Sequence, residues 1–233
     1  MNNPQLPLGL ALRDSARFES FFPGQNQEAV SSLQAAAQGT GESLVYLTAP
    51  AGLGKTHLLQ AACHVAGESG RRSGYLPLVE LRQVATAVFD GLEQLELVCL
   101  DDVDAVAGEP QWEHALFDLF NRLRDAGRTL LVTASQRPDA AGFGLPDLAS
   151  RLGWGASYVL KPMAEADIMA ALAYRARARG LELPLETAQF LLRRFPRNLP
   201  TLFALFDTLD LASLVEQRRL TVPFVKSVLD GNP

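Results

Sequence analysis

A glycine-containing loop between a strand and a helix constrains this chain more than any other feature. The apolar run Leu44–Leu47 precedes the octapeptide Ala-Pro-Ala-Gly-Leu-Gly-Lys-Thr at residues 49–56, and a helical pattern begins where the octapeptide ends. Glycines in such a loop let backbone N–H groups curve around phosphate oxygens, and the N-terminus of the following helix favours negative charge. We therefore predict that residues 49–56 form the phosphate-binding loop, or P-loop, of a nucleotide-binding protein.

The polar residues at the end of the loop have predicted roles. Lys55 is expected to reach the β- and γ-phosphates, and the Thr56 hydroxyl is expected to be a magnesium ligand. The residues of this segment that we predict to bind the nucleotide are Pro50, Ala51, Gly52, Leu53, Gly54, Lys55, Thr56 and His57. The loop begins with Ala49 where the general pattern has glycine, so a glycine turn without a nucleotide is the alternative interpretation.

Composition excludes several classes of protein. The 233 residues are 48% hydrophobic, yet no uninterrupted apolar stretch approaches the roughly 20 residues of a membrane span. The net charge of −5 argues against an affinity that comes from coating DNA phosphates, so we expect no strong direct sequence-specific DNA binding. The N-terminus lacks the basic and apolar regions of an export signal. We expect a cytoplasmic protein with no membrane partner.

Predicted strands alternate with helical stretches in the first two thirds of the chain. The strands are expected at Leu44–Thr48, Gly74–Val79, Leu97–Asp101, Thr129–Thr133 and Ser157–Leu160. This alternation is typical of an α/β fold with a largely parallel, five-stranded sheet, and the near-continuous hydrophobicity of the strands indicates cover on both faces. Because ligands of such sheets bind at the carboxyl ends of the strands, the site is expected there.

The pattern changes after residue 162. Residues 163–233 show helical periodicity and helix boundary signals, such as Gly180 at a helix C-terminus, but no strand pattern. We predict three segments: a flexible N-terminal peptide over residues 1–12, an α/β nucleotide-binding domain over 13–162, and a small all-α lid domain over 163–233.

Two acidic residues follow the third predicted strand. Asp101 is placed to hold a magnesium ion through water, and Asp102 could then orient an attacking water. The next strand is followed by Ser135, whose hydroxyl is placed to sense the γ-phosphate, although an ordinary turn serine is the alternative. We predict that Thr56 and Asp101 form a Mg²⁺ site and that the cofactor is ADP or ATP.

These motifs together resemble the AAA+ family, whose members have two nucleotide motifs, a polar sensor after the next strand, and a helical lid. The segment Leu145–Gly155, with Ser150-Arg151-Leu152-Gly153-Trp154-Gly155 at its end, resembles more specifically the DnaA/Hda family. The resemblance implies that Arg151 is an arginine finger for ATP bound by a neighbouring subunit, and such fingers are worth ~10³–10⁵ in rate. It also implies that Arg197 is a second phosphate sensor, with Pro200 departing from the family pattern.

The resemblance extends to the N-terminal peptide. Gln5-Leu6-Pro7-Leu8-Gly9-Leu10 is similar to the peptide with which regulators of this family engage the β sliding clamp, although Gly9 replaces the usual proline. The residues that it assigns to clamp binding are Gln5, Leu6, Leu8 and Leu10. An extended, proline-bearing segment loses little entropy on binding, and its leucines can fill apolar pockets. The alternative is an unstructured tail with incidental leucines.

The resemblance implies a nucleotide-bound regulator of replication initiation. Tethered to the DNA-loaded β clamp, it would stimulate hydrolysis of ATP bound to the DnaA initiator and thereby prevent re-initiation. The chain ends after the lid, so we expect no helix-turn-helix module that reads origin DNA. Because the family works with ADP in its own pocket, we expect an activator of DnaA rather than a strong ATPase, and a homo-oligomer is left open.

A rival interpretation is an autonomous AAA+ ATPase that acts as a helicase-loader-like motor. Such a motor would bind single-stranded DNA and turn over ATP without DnaA. The sequence leaves it open because Lys55, Thr56, Asp101 and Asp102 are all present. No basic groove with interleaved aromatic residues is evident, which argues against it. A pure adaptor, which would use the fold only as a scaffold, is a third interpretation.

Overall fold

A computed structural model describes residues 12–195, 199–216 and 219–231 of the chain. The chain divides into two compact units, the first ending at Lys161 and the second beginning at Pro162. Each unit has its own hydrophobic core.

The first unit is built on a parallel sheet. In chain order its strands are β1 (Leu44–Thr48), β2 (Ser73–Pro77), β3 (Leu97–Asp101), β4 (Thr129–Ala134) and β5 (Ala156–Val159). The order across the sheet is β2-β3-β4-β1-β5, and each neighbouring pair is parallel. Because β3, β4 and β1 are adjacent and run in one direction, their carboxyl ends meet at one edge of the sheet.

Helices cover the sheet and connect its strands. The α-helices of this unit are α1 (Gln27–Gln38), α2 (Lys55–Glu68), α3 (Leu78–Leu81), α4 (Pro110–Asp125) and α5 (Pro146–Leu152). Short 3₁₀ turns lie at Phe18–Ser20, Gly24–Asn26, Thr86–Phe89, Leu92–Gln94 and Val103–Val106.

Alternate side chains of the central strands enter two separate cores. In β1, Tyr46 packs in the core that contains α4 side chains, whereas Val45 and Leu47 pack in the core that contains side chains of α1 and α2. Every residue of β1, β3 and β4 is buried. The two-sided cover explains the unbroken hydrophobicity of these strands, since both faces of the sheet are sealed from water.

The second unit is helical. Its helices are α6 (Glu165–Ala178), α7 (Leu185–Arg194), α8 (Leu199–Glu216) and α9 (Val222–Leu229). Their apolar faces meet around fully buried Leu172, Leu191, Phe206 and Phe224. Gly180, which follows α6, has φ +72°, the left-handed conformation expected of a glycine at a helix C-terminus.

The predicted α/β fold with a five-stranded parallel sheet and a helical C-terminal region is confirmed. Three strands differ from prediction at their ends. The second begins at Ser73 and stops at Pro77 because α3 begins at Leu78, the fourth continues to Ala134, and the fifth runs from Ala156 to Val159. None of the helices in the described ranges has the length and apolarity needed to cross a bilayer.

Candidate functional site

The P-loop turns from β1 into α2 through two glycines with left-handed backbone. Gly52 has φ +86° and Gly54 has φ +94°, values that residues with side chains rarely adopt. At Gly54 a Cβ atom would also come within 2.7 Å of the Phe21 ring. Since α2 begins at Lys55, the unpaired N–H groups of its first turn lie beside the loop. Ala49 is fully buried, so its methyl group is accommodated where the general pattern has glycine.

Lys55 is buried with its charge compensated at the loop. Its Nζ donates to the Ala49 carbonyl at 2.8 Å and lies 3.3 Å from Asp102 Oδ1. An ammonium group this deeply placed requires such partners. The lysine of the loop and the second acid after β3, which the sequence predicted separately, are therefore in direct contact.

Asp101 is held by three hydroxyl groups. Thr56 Oγ1 donates to Asp101 Oδ2 at 2.6 Å, and the Tyr75 hydroxyl donates to the same oxygen at 2.8 Å. Thr133 Oγ1, from β4, donates to Asp101 Oδ1. The structure thus brings together the two predicted magnesium ligands, Thr56 and Asp101. It adds Tyr75 and Thr133, which no motif marked.

Asp102 has an unusual backbone. In the described part of the chain it is the one residue other than glycine with positive φ, at 53°, a conformation that costs most L-residues ~1–2 kcal/mol. Its N–H donates to Thr133 Oγ1 at 2.9 Å, which fixes the turn. Burial raises the pKa of Asp102, the charge of Asp101 raises it further, and Lys55 opposes both. We call Lys55, Thr56, Tyr75, Asp101, Asp102 and Thr133 the strand-end cluster.

Ser135 lies at the carboxyl end of β4, as predicted, but its polar groups have a specific partner. Both its N–H, at 2.9 Å, and its hydroxyl donate to Asp104 Oδ2. Asp104 belongs to the 3₁₀ turn after β3. The serine therefore links the ends of β3 and β4, and its role as a sensor of the γ-phosphate stays a prediction.

His57 contacts the segment that precedes α1. Its Nε2 lies 2.8 Å from the Arg17 carbonyl, and its ring centroid lies 5.8 Å from that of Phe21. Burial lowers the pKa of His57, although the bond to Arg17 opposes the shift. The same side of α2 carries Gln60, whose Oε1 accepts the Arg13 N–H at 3.2 Å. The remaining predicted loop residues differ in exposure: Pro50 and Ala51 are exposed, and Leu53 is half-buried.

Arg151 projects from α5 and contacts two aromatic rings. Its guanidinium carbon lies 4.2 Å from the ring centroid of Phe117 and 5.7 Å from that of Trp154. Trp154 packs edge-on against Phe120, 6.1 Å between centroids, and is 61% exposed. Within the described ranges no carboxylate forms an ion pair with Arg151.

A buried glutamate supports the segment that leads into α5. Glu113 is 2% exposed and accepts three backbone N–H groups, from Gly108, Gly144 and Leu145, at 2.6 to 2.9 Å. Three such bonds satisfy a buried carboxylate without a cation. Sequence reasoning missed Glu113, because nothing in an ordinary amphipathic helix such as α4 marks one acid as buried.

Some predicted site residues cannot be placed. Arg197 lies outside the described residues, and so do the predicted clamp-binding residues Gln5, Leu6, Leu8 and Leu10.

Two sequence profiles match the chain. Residues 12–158 match the bacterial DnaA ATPase domain, and residues 165–229 match the lid domain of Hda. The chain belongs to the bacterial DnaA family. The two matches divide this DnaA-family chain into an ATPase domain and a lid.

Solved structures of DnaA have the same fold. Domain III of the Thermotoga maritima replication initiation protein DnaA is 21% identical with a TM-score of 0.75, and the match covers 95% of this chain and 98% of that one. AMPPCP-bound DnaA from Aquifex aeolicus is 22% identical with a TM-score of 0.68, covering 80% of this chain and 62% of that one. The Thermotoga maritima RuvB Holliday junction branch migration motor is 19% identical, with a TM-score of 0.66 over 88% of this chain and 67% of that one. These similarities confirm the predicted AAA+ core with a helical lid.

The strand-end cluster of this DnaA-family chain fits a nucleotide with a magnesium ion. Hydroxyl and carboxylate oxygens are the ligands that Mg²⁺ prefers, and Thr56 and Asp101 bring one of each within 2.6 Å. Space is open at the tip of the loop, where a Cβ on Gly52 would meet no atom within 4 Å. Lys55 and the N-terminus of α2 supply the positive charge that phosphates require.

Proposed function

We propose that this DnaA-family chain is a nucleotide-bound regulator of DNA replication initiation, which stimulates hydrolysis of ATP held by the DnaA initiator. The observation that carries the proposal is the pairing of a DnaA-type ATPase domain over residues 12–158 with an Hda-type lid over 165–229. Hydrolysis leaves DnaA in its ADP form, which is inactive, so a second initiation from the same origin is prevented.

The chain's own site holds ADP or ATP with Mg²⁺. Lys55 and the first turn of α2 bind the phosphates, while Thr56 and Asp101 hold the metal ion, which neutralises phosphate charge when bound. Ser135 and Arg197 complete the set as sensors. The AMPPCP-bound structure of the Aquifex aeolicus relative supports nucleotide binding here. The nucleotide sets the shape of the module and its oligomeric state.

Arg151 acts on ATP bound by DnaA rather than on the chain's own nucleotide. The faces of Phe117 and Trp154 hold its guanidinium without using its N–H donors, because cation–π contact is made through the ring face. The donors remain available for an anion. Placed at the γ-phosphate of a neighbouring subunit, the guanidinium stabilises the charge that develops during phosphoryl transfer.

The N-terminal peptide tethers the chain to the β sliding clamp on DNA. Gln5, Leu6, Leu8 and Leu10 are the proposed contacts. Tethering makes the encounter with DnaA effectively intramolecular, with effective concentrations of the order of millimolar for short flexible linkers. A weak docking surface between the two AAA+ domains then suffices.

An autonomous motor is the second candidate function. The intact strand-end cluster favours it, since Lys55, Asp101 and Asp102 are arranged as a hydrolytic site requires. The likeness of the fold to the RuvB motor is consistent with it. This candidate predicts steady ATP turnover by the chain alone and binding to single-stranded DNA.

The test follows hydrolysis of radiolabelled ATP already bound to DnaA. The chain is added with clamp loaded on DNA, with free clamp, or without clamp, and ADP on DnaA is separated and counted. We expect the parent chain to accelerate hydrolysis only when loaded clamp is present. A Gln5→Ala/Leu10→Ala variant should give no acceleration with loaded clamp. Arg82→Ala is the matched control, because Arg82 is exposed and makes no side-chain hydrogen bond or ion pair among the described residues. No stimulation, together with steady turnover by the chain alone, would establish the motor instead.

A further inference from the structure

Tyr75 reaches the strand-end cluster from a strand that carries no recognised motif. It lies in β2, the edge strand beside β3, and its hydroxyl donates to Asp101 Oδ2 at 2.8 Å. In the parallel register Tyr75 pairs with Cys99, two residues before Asp101. Because side chains of a strand alternate between faces, Cys99 and Asp101 point to the same side of β3, and a tyrosine beside Cys99 is long enough to reach the carboxylate.

The three hydroxyl donors leave Asp101 little freedom. A carboxylate oxygen has two acceptor positions, and on Oδ2 both are taken, by Thr56 and Tyr75. The other oxygen, Oδ1, accepts from Thr133. The carboxylate is therefore held by groups on α2, β2 and β4, and removal of the Tyr75 hydroxyl leaves Oδ2 with one of its two donors, Thr56.

Tyr75 is itself held as a donor. A phenol keeps its proton at neutral pH, so in this pair the hydroxyl donates and the carboxylate accepts.

We propose that Tyr75 is a positioning residue of the magnesium–nucleotide site, which holds the Asp101 carboxylate in place for the metal ion. The inference rests on the proposed function, because it assumes that Thr56 and Asp101 hold Mg²⁺ with a bound nucleotide. The contact that Tyr75 makes in the site is its hydrogen bond to Asp101. The tyrosine acts through Asp101, as outer-shell partners of metal ligands do, and loss of such a partner typically costs 10–100-fold in metal affinity.

The test measures how ADP binding depends on MgCl₂. ADP affinity of the full chain is determined by calorimetry in EDTA and over a series of MgCl₂ concentrations, for the parent and for Tyr75→Phe. Mg²⁺ is expected to change the affinity for ADP. We expect Tyr75→Phe to need at least about ten-fold more Mg²⁺ than the parent to reach half of that change. Its affinity for ADP in EDTA should equal that of the parent, since the P-loop contacts are unchanged.

Tyr158→Phe is the matched control. Tyr158 is half-buried in β5, and its hydroxyl makes no hydrogen bond within the described ranges. A general effect of removing a tyrosine hydroxyl would appear in both variants, whereas the proposed effect appears only at residue 75. Thr133→Val provides a second variant, which removes the donor to the other oxygen of Asp101 and keeps the bond between Tyr75 and Asp101. We expect a shift in the same direction, which tests whether holding Asp101 sets the magnesium dependence should Tyr75→Phe fold poorly.

Separate outcomes overturn this inference and the proposed function. A parent chain that binds no ADP would remove the proposed nucleotide site altogether. A parent that binds ADP equally with and without Mg²⁺ would overturn the proposed magnesium site and the role of Tyr75 with it. A Tyr75→Phe variant with the parent's magnesium dependence would overturn only the role of Tyr75. Equal shifts in Tyr75→Phe and Tyr158→Phe would likewise show that residue 75 has no specific role.

Discussion

The strand-end cluster and α5 differ in how their charges are compensated. In the cluster, Lys55 has a carboxylate partner and Asp101 has three hydroxyl donors, so the polar groups of the site are already oriented by the protein. On α5, Arg151 rests on aromatic rings and has no ionic partner within the described ranges. An internally completed site is suited to bind its own ligand. An arginine with free donors is suited to complete a site on another molecule.

Arg151→Ala should have the largest effect. If the arginine acts in trans, the rate of hydrolysis of DnaA-bound ATP in the presence of this chain should fall by about 10³-fold, or to the unstimulated rate if that is reached first. Single-turnover hydrolysis on DnaA with loaded clamp measures it. Arg82→Ala should behave as the parent does. If the Arg151→Ala variant stimulated hydrolysis as fully as the parent, Arg151 on α5 would have no part in the mechanism.

Glu113→Ala should be the next largest change, and it probes the support of α5. The three N–H groups of Gly108, Gly144 and Leu145 would lose their acceptor. We expect the free energy of unfolding to fall by about 3 kcal/mol, since hydrogen bonds to a charged group are worth about 1.5–3 kcal/mol each and the exposed Gly108 and Gly144 can donate to water instead. Urea denaturation measures this, with exposed Glu109→Ala as the control. Equal stability of the two variants would show that Glu113 does not hold this segment.

Lys55→Ala tests the strand-end cluster, the other region of the comparison. Removing the ammonium takes one charge-assisted contact from the phosphates, worth about 2 kcal/mol, so the dissociation constant for ADP should rise by about thirty-fold. Calorimetry provides the measurement. Lys161→Ala is the control, because Lys161 is exposed and its side chain has no hydrogen bond or ion pair in the described part of the chain. An unchanged affinity would mean that Lys55 does not contact the nucleotide.

The smallest expected effect concerns pH and His57. Its pKa is lowered in the folded chain from the ordinary value of 6.5, mainly by burial. The unfolded chain therefore takes up a proton first as the pH falls, so stability is complete above pH 6.5 and declines below it. His57→Gln should flatten this decline. Denaturation curves recorded at about pH 7.5 and about pH 5, on either side of the range in which histidine titrates, measure it. An identical slope in parent and variant would contradict the assignment.

Contiguous motifs made four of the six residues of the strand-end cluster predictable from sequence. The positions of Lys55, Thr56, Asp101 and Asp102 follow from a glycine loop and from acids at the end of a hydrophobic strand, and the parallel sheet brings these ends together. The fold could also be predicted, because the unbroken hydrophobicity of β1, β3 and β4 indicates burial on both faces of the sheet.

The supporting residues could not be predicted, for a physical reason. Tyr75 and Thr133 contribute through strand register, which depends on packing between elements far apart in the chain. Glu113 is similar, since its three donors come from two separate loops. The left-handed backbone of Asp102 was also hidden, because aspartate is common in turns of every kind.

The most direct test of the division between the two regions is the affinity of the isolated chain for ADP, measured side by side for the parent, Arg151→Ala and Lys55→Ala. We predict that Arg151→Ala binds ADP as tightly as the parent does, while Lys55→Ala binds it about thirty-fold more weakly. Loss of ADP affinity in Arg151→Ala, with Lys55→Ala unchanged, would contradict the account.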